Sequence, residues 1–211
     1  VLGPMINGWS IIQTVDGKSY NYINADGALL STLWFAKAYA FTAEATLAYV
    51  DTGNVANSEE RYALYLLQRT GEMKLWRHAP NMDDVVGCAA GVAMMTTGEL
   101  VRLDAAHTAL CQSDDVAVYA DCGAVVARDR QSGKYGLFVN GEQQYDFAYD
   151  SIDPAPSDIT WTAAGNGAYR VLTVTGMPYP LPLSHYFALE KNGAQEMVAL
   201  STASVYPLLL P

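Results

Sequence analysis

Basic residues are scarce in this sequence. Among 211 residues, 12 Lys and Arg stand against 22 Asp and Glu, a formal charge of −10. The densest basic spot is Arg128 with Arg130. Nucleic acids and anionic membrane surfaces are held by clustered cations that neutralise phosphate, so no nucleic-acid partner is expected. Long apolar runs are missing as well. None approaches the roughly 18 residues of a membrane span, and no basic segment with an apolar core behind it opens the chain, so membrane insertion is not expected. The first residue is Val1 rather than methionine, as expected of a processed or excised chain.

Histidine and cysteine are few. His78, His107 and His185 lie far apart, with no H-E-x-x-H and no Cys-x-x-Cys, so no zinc site is expected. Cys88, Cys111 and Cys122 allow at most one internal disulfide, with Cys111 and Cys122 the closer pair on either side of the apolar run Val116–Tyr119. The plainer use of all three is as small buried hydrophobes. There is no G-x-S-x-G elbow, no phosphate-binding G-x-G-x-x-G and no P-loop, and His107 with Cys111 is a weak Cys/His coincidence. No cofactor is expected.

What is present favours strands. Hydrophobic residues make up 51% and charged residues 16%, which excludes a disordered chain, and 14 tyrosines accompany many Val, Thr and Leu. The clearest stretch is Gly133–Ile152, GKYGLFVNGEQQYDFAYDSI. Leu137, Phe138 and Val139 lead into Asn140-Gly141, a pair suited to positive φ at both centres of a type I′ hairpin turn. Beyond it Tyr145, Phe147 and Tyr149 alternate with Gln144, Asp146 and Ala148, which places three rings on one face of a second strand. A single hairpin is marginal in water, so the unit needs neighbours like itself.

Weaker copies supply them. Turn glycines at Gly27, Gly71, Gly98, Gly141 and Gly193 recur at intervals of roughly 27 to 52 residues, the range of propellers and hairpin arrays. The window Ala36–Tyr49 suits helix by composition, but Tyr39, Phe41, Thr42 and Thr46 favour a strand. The predicted fold is all-β, with repeated β-hairpin units in a propeller-like or open array; a β-sandwich is the alternative. Residues 1–10, with Gly3, Pro4 and Gly8, read as a lead-in, and residues 11–211 as one repeat domain. Sub-boundaries are expected near the polar stretch 51–60 and the proline-broken 153–158.

Two stretches resemble WG repeats, β-rich bacterial repeats named for a Trp-Gly pair. Gly133–Ile152 has Gly133-Lys134, the aromatic-Gly pair Tyr135-Gly136, the turn Gly141 and then Tyr149-Asp150. Asp16–Ala45 has Gly17-Lys18, Tyr22-Ile23-Asn24, the turn Asp26-Gly27, and Trp34-Phe35 with Phe41 beyond. Neither copy contains Trp-Gly itself. The second stretch also resembles choline-binding-type cell-wall repeats, though only Trp9, Trp34, Trp76 and Trp161 are available for cages that need several tryptophans. The WG resemblance implies a repeat protein that works in cell-envelope or interaction contexts, and it implies no catalytic residue.

The residues that could carry function are aromatic and acidic. Trp34, Phe35, Trp76 and Trp161 could line a carbohydrate- or peptide-binding face, or pack between hairpins. Asp146, Asp150 and Asp153 are weak calcium candidates within an otherwise solvated acidic edge, and they lack the D-x-D-x-D-G pattern. Asp83-Asp84 and Asp114-Asp115 are candidate loop acids, but strand neighbours point to opposite faces, so two converging carboxylates must come from separate segments. These features support a non-catalytic binding or scaffold module, extracellular or in a bacterial cell envelope, with a protein or carbohydrate partner. The competing class is a glycan-acting hydrolase using carboxylates from separate loops, which would place two of them in one concave pocket.

Overall fold

The computed structural model describes residues 2–42, 44–119, 123–154, 160–165, 168–173, 185–191, 194–200 and 205–207. These are all-β, as expected: the strands form several antiparallel sheets, and the one helical element among the described residues is a 3₁₀ turn at Ser58–Glu60. No helix is long and apolar enough to cross a membrane among them. The chain forms two compact units, Val1–Gln112 with Asn140–Glu142, and Ser113–Val139 with Gln143–Pro211.

The first unit begins with strands β1 (Leu2–Ile6), β2 (Trp9–Gln13) and β3 (Tyr20–Asn24), paired in sequence order. This corrects the reading of residues 1–10 as a lead-in. Asn7 and Gly8 take φ of 50° and 83°, the type I′ requirement, and fold β1 onto β2 with Ile6 opposite Trp9. Pro4 is tolerated because β1 is an edge strand, where a missing N–H leaves no partner unpaired.

A second sheet follows from β4 (Lys37–Ala38), β5 (Ala45–Asp51), β6 (Tyr62–Gln68) and β7 (Met73–Ala79). The window Ala36–Tyr49, read as strand rather than helix, holds β4 and most of β5, with no helix among its described residues. Residues 51–60, expected to hold a sub-boundary, connect two strands of this one sheet, β5 and β6. A third set pairs β8 (Val85–Ala89), β9 (Val92–Met95), β10 (Glu99–Arg102) and the first half of β11 (Ala109–Tyr119). Gly71 N–H reaches Gln68 O at 2.9 Å, and Gly98 N–H reaches Met95 O at 2.9 Å. Their φ values of 88° and 85° are ones that glycine adopts without strain. Ala90-Gly91 turns β8 into β9, with Gly91 against the tip residues Asn140 and Gly141 of the same unit.

The core of this unit is held by tyrosines as much as by aliphatics. Tyr22, Phe35, Phe41, Ala48 and Leu67 form one buried cluster, while Leu47, Tyr49, Leu64, Trp76 and Val101 belong to another. A buried phenol must find an acceptor. Tyr22 donates to Tyr39 O at 2.8 Å, Tyr39 to Val85 O at 2.8 Å, and Tyr49 to Asp84 Oδ1 at 2.8 Å. Arg77 holds the other oxygen of Asp84 at 2.6 Å.

Cys88 packs against this core, and burial pushes its thiol up to about 12. Thiolate is the reactive form, so in the folded protein Cys88 is expected to resist iodoacetamide at pH 8 and to react within minutes in denaturant. Mass mapping of the alkylated peptide checks this; labelling of native protein at the rate of a free peptide thiol would contradict the burial.

The second unit holds the rest of β11, then β12 (Ala124–Asp129), β13 (Tyr135–Val139) and β14 (Glu142–Tyr149, whose first residue belongs to the first unit), in that order in the sheet. The hairpin predicted over Gly133–Ile152 is thus present, with Asn140 and Gly141 at φ of 49° and 80°. Tyr145 is buried while Asp146 and Ala148 are exposed, as the alternation requires. A further sheet joins β15 (Ser151–Pro154), β16 (Thr160–Gly165) and β17 (Ala168–Thr173), and a last one joins β18 (His185–Lys191), β19 (Ala194–Leu200) and β20 (Val205–Pro207). Asp153 and Pro154 end a strand rather than open a linker. Residues 155–158, the proline-rich 178–182 and the turn at Gly193 lie outside the described residues, as does Cys122 and with it the Cys111–Cys122 pairing.

Candidate binding cleft

Cross-strand pairing decides which side chains of the second unit share a face. Ala117 lies opposite Val126, which lies opposite Leu137, and Tyr119 lies opposite Ala124, which lies opposite Val139. Arg128 pairs with Tyr135, and a register shift between Ser113 and Val116 sets Asp115 at the same end of the sheet. This face packs over Ile152, Ala163 and Leu172 of the β15–β17 sheet, with Tyr119, Tyr135 and Tyr149 at its margin.

Where the two sheets part, a cleft of about 220 Å³ opens. Ala117, Val126 and Ile152 give it an apolar floor, and Tyr119 and Tyr135 flank it. Asp115 from β11, with Ser151 and Asp153 from β15, supply its polar groups. The Tyr135 hydroxyl donates to Asp115 Oδ2 in a short hydrogen bond. That bond, with a small contribution from burial, raises the Tyr135 phenol above its ordinary value, because losing its proton would set two anions face to face. The bond fixes the Asp115 carboxylate and the ring in one arrangement before any ligand arrives, which lowers the entropy lost on binding.

Of the aromatic residues singled out in the sequence, Trp34, Phe35 and Trp76 do not line this cleft. Trp34 is 41% exposed, but its neighbour Phe35 is fully buried, since successive residues of an extended segment point to opposite sides. Phe35 meets Tyr22 edge to face, with ring centroids 5.9 Å apart. Trp76 is buried in the other cluster, donates from Nε1 to Asp104 O at 3.2 Å and lies 4.6 Å from the His107 ring. Phe35 and Trp76 therefore do not belong to a binding face. Trp161 stands in β16, opposite Pro154 and Leu172 in register, and its side chain is outside the described residues.

The acids also separate. Asp146 is exposed on β14, Asp150 pairs with Lys134, and Asp153 lines the cleft. Among the described residues no three or more His, Cys, Asp or Glu side chains group closely enough to hold a metal ion, so the three aspartates do not form a calcium site. Asp84 is engaged by Tyr49 and Arg77. Of the pair Asp114-Asp115, one member faces the cleft.

Sequence reasoning missed Tyr119, Tyr135 and Ser151 as site residues. Tyr135 had a signal, the aromatic-Gly position of the repeat motif. Tyr119 was legible only as two alternate steps beyond Asp115 on one strand.

No family model matches this chain, and no curated protein matches it in sequence. Among solved structures, Hsv2 of Kluyveromyces lactis shares 8% identity at a TM-score of 0.34, covering 95% of this chain and 71% of its own. A putative 6-phosphogluconolactonase from Bacteroides uniformis shares 10% identity at a TM-score of 0.31, over 97% of this chain and 72% of the other. PorZ, a bacterial surface component of the type-IX secretion system of Porphyromonas gingivalis, shares 11% identity at a TM-score of 0.30, over 96% of this chain but 31% of that protein. Likenesses this distant carry no argument about function.

Proposed function

We propose that this chain is a non-catalytic binding module of β-hairpin repeats, in a propeller-like or open array, that recognises a glycan at a bacterial cell envelope. The supporting observation is the cleft flanked by Tyr119 and Tyr135, with an apolar floor and the carboxylates of Asp115 and Asp153. Flat rings stack on the C–H faces of a sugar, and fixed carboxylates accept from its hydroxyls. A cleft of about 220 Å³ has room for one ring rather than a long chain.

One feature of the same site favours a glycan-acting hydrolase instead: its two carboxylates come from separate strands, β11 and β15. Glycoside cleavage also needs a general acid, and an acid is kept protonated at neutral pH by a desolvated pocket. Asp115 and Asp153 are both exposed to water, which favours binding over cleavage.

A glycan-array screen of the purified chain tests the proposal. Tyr135→Ala is expected to weaken the bound glycan about tenfold, equivalent to about 1.4 kcal/mol, while Trp34→Ala leaves binding unchanged. Prolonged incubation is expected to release no reducing sugar; steady release that is lost in Asp153→Asn would transfer the site to the hydrolase reading.

A further inference from the structure

We propose that the outer face of the β1–β3 sheet is a self-association surface, on which a second copy of this chain stacks face to face.

Cross-strand register gives this sheet two sides. On the inner one, Ile11 lies opposite Tyr22 and Tyr20 is bridged to Phe35, and all four belong to or pack against the buried cluster that also holds Phe41 and Leu67. The outer one carries Leu2 opposite Ile12, and Met5 opposite Ser10, which lies opposite Ile23, which is bridged to Leu29. Paired residues of an antiparallel ladder share a face, and the register shift between Leu2 and Met5 keeps both on this one. Trp34 falls on the same side, because its neighbour Phe35 is on the inner one.

An antiparallel sheet with one face on a core ordinarily turns a polar face to water. Here Leu2, Met5 and Leu29 are 67%, 51% and 47% exposed, with Ile12 and Ile23 half-buried between them. Asn21, in register with Ile12, is fully buried, and its amide already donates to Ser31 O at 2.9 Å and Leu33 O at 3.0 Å. The face therefore offers apolar contact and little else.

Charge selects the occupant. β1, β2, β3 and residues 27–36 contain no Asp, Glu, Lys or Arg, in a chain whose formal charge is −10. Two copies repel wherever their acidic surfaces meet, so an uncharged apolar face is where they can approach closely. A strongly charged partner would find no counter-charge there. Pro4 leaves the free edge of β1 short of an N–H, which blunts edge-to-edge pairing and favours stacking of faces. A two-fold axis then sets the same patch of both copies together. Four strands about 4.8 Å apart and about 17 Å long present roughly 300 Å² of sheet per copy, which supports a weak, reversible dimer rather than a permanent one.

Sedimentation velocity of the full chain from roughly 1 to 500 µM reads this dimer, with a dissociation constant of about 10 to 300 µM expected. Raising salt from about 20 to about 300 mM should tighten it about threefold or more, because salt screens the repulsion between copies and spares apolar contact. Met5→Lys and Leu29→Lys, both at exposed positions, are each expected to weaken it about tenfold or more with β circular dichroism unchanged, although each lowers the net charge. Leu75→Lys, at a comparably exposed leucine on β7, should leave it within about twofold.

A monomer across the whole concentration range at both salts would overturn the proposal. So would association that salt weakens, which is the mark of ionic contact. Association reduced as much by Leu75→Lys as by Met5→Lys would overturn it too, since that is adhesion through exposed side chains anywhere on the surface.

Discussion

Gly91→Ala is expected to destabilise the first unit by about 3 kcal/mol or more, while Gly27→Ala costs about 1 kcal/mol. The two glycines have nearly the same backbone, with φ of 78° and 82°, so each substitution incurs the strain of an L residue in the left-handed region. They differ in what a methyl group would meet. A Cβ on Gly27 has nothing within 4 Å. A Cβ on Gly91 would lie 2.4 Å from the carbonyl carbon and 2.6 Å from the oxygen of Asn140, and 2.7 Å from Gly141 N. Those are backbone atoms of another tight turn, which cannot rotate away as a side chain would. Glycine also occupies the other side of this approach, where a Cβ on Gly141 would stand 2.7 Å from Gly91 O.

Leu103 N–H bonds to Gly91 O at 2.9 Å and Arg102 Nε to Gly141 O at 3.0 Å, so both turns are tied in place. Urea unfolding followed by tryptophan fluorescence in a Trp161→Phe background reads the first unit, which contains Trp9, Trp34 and Trp76. Equal midpoints for the two variants would mean that the turns do not press together in solution.

Alkaline unfolding is the second large effect expected, and it follows from the buried phenols. Burial raises the proton affinity of Tyr22, Tyr39 and Tyr49, with the Asp84 carboxylate adding to the effect at Tyr49. Because the folded-state values lie above the unfolded one, both states are protonated below about pH 10 and stability is then complete. As pH rises further, the unfolded chain releases protons that the folded chain keeps. Each of the three phenols then removes about 1.4 kcal/mol per pH unit, about 4 kcal/mol together, so a domain of ordinary stability should unfold cooperatively within one to three units above pH 10.

Phenolate absorbance should accordingly rise in two parts, a gradual one from exposed tyrosines and a sharp one coincident with loss of β circular dichroism. Tyr22→Phe removes one titrating group and should make the alkaline transition shallower, although it costs about 1 kcal/mol at neutral pH through the lost bond to Tyr39 O. A single gradual titration with the fold retained would contradict the burial of these groups.

Local chemistry was the legible part of this protein. Asn140-Gly141 announced its hairpin because few other pairs accept two positive φ values. Asn7-Gly8 is the same signal and was overridden by Gly3 and Pro4, which read as breakers although an edge strand accommodates both. Ala90-Gly91 offered no such cue. Alanine at φ 50° is unfavourable on its own, and the turn is supported by packing against Asn140 and Gly141, which lie far along the chain.

The cleft was illegible for a related reason. Alternation assigns Asp115, Ala117 and Tyr119 to one side of β11, but it does not say that β15 brings Asp153 to the same end. Aromaticity alone also misled: Trp76 and Phe35 attract attention as large rings, and large rings are what a core buries first.

The order of strands in every sheet is the order in which they leave the ribosome. β1 to β3, β4 to β7 and β15 to β17 each pair with the strand just before. Connections from two residues, as at Asn7-Gly8, to ten, as between β5 and β6, lose little chain entropy, so each of these hairpins can form once its second strand is synthesised, without waiting for a distant partner. The nascent protein can therefore fold vectorially, and the apolar strand edges most prone to aggregation are covered soon after they emerge.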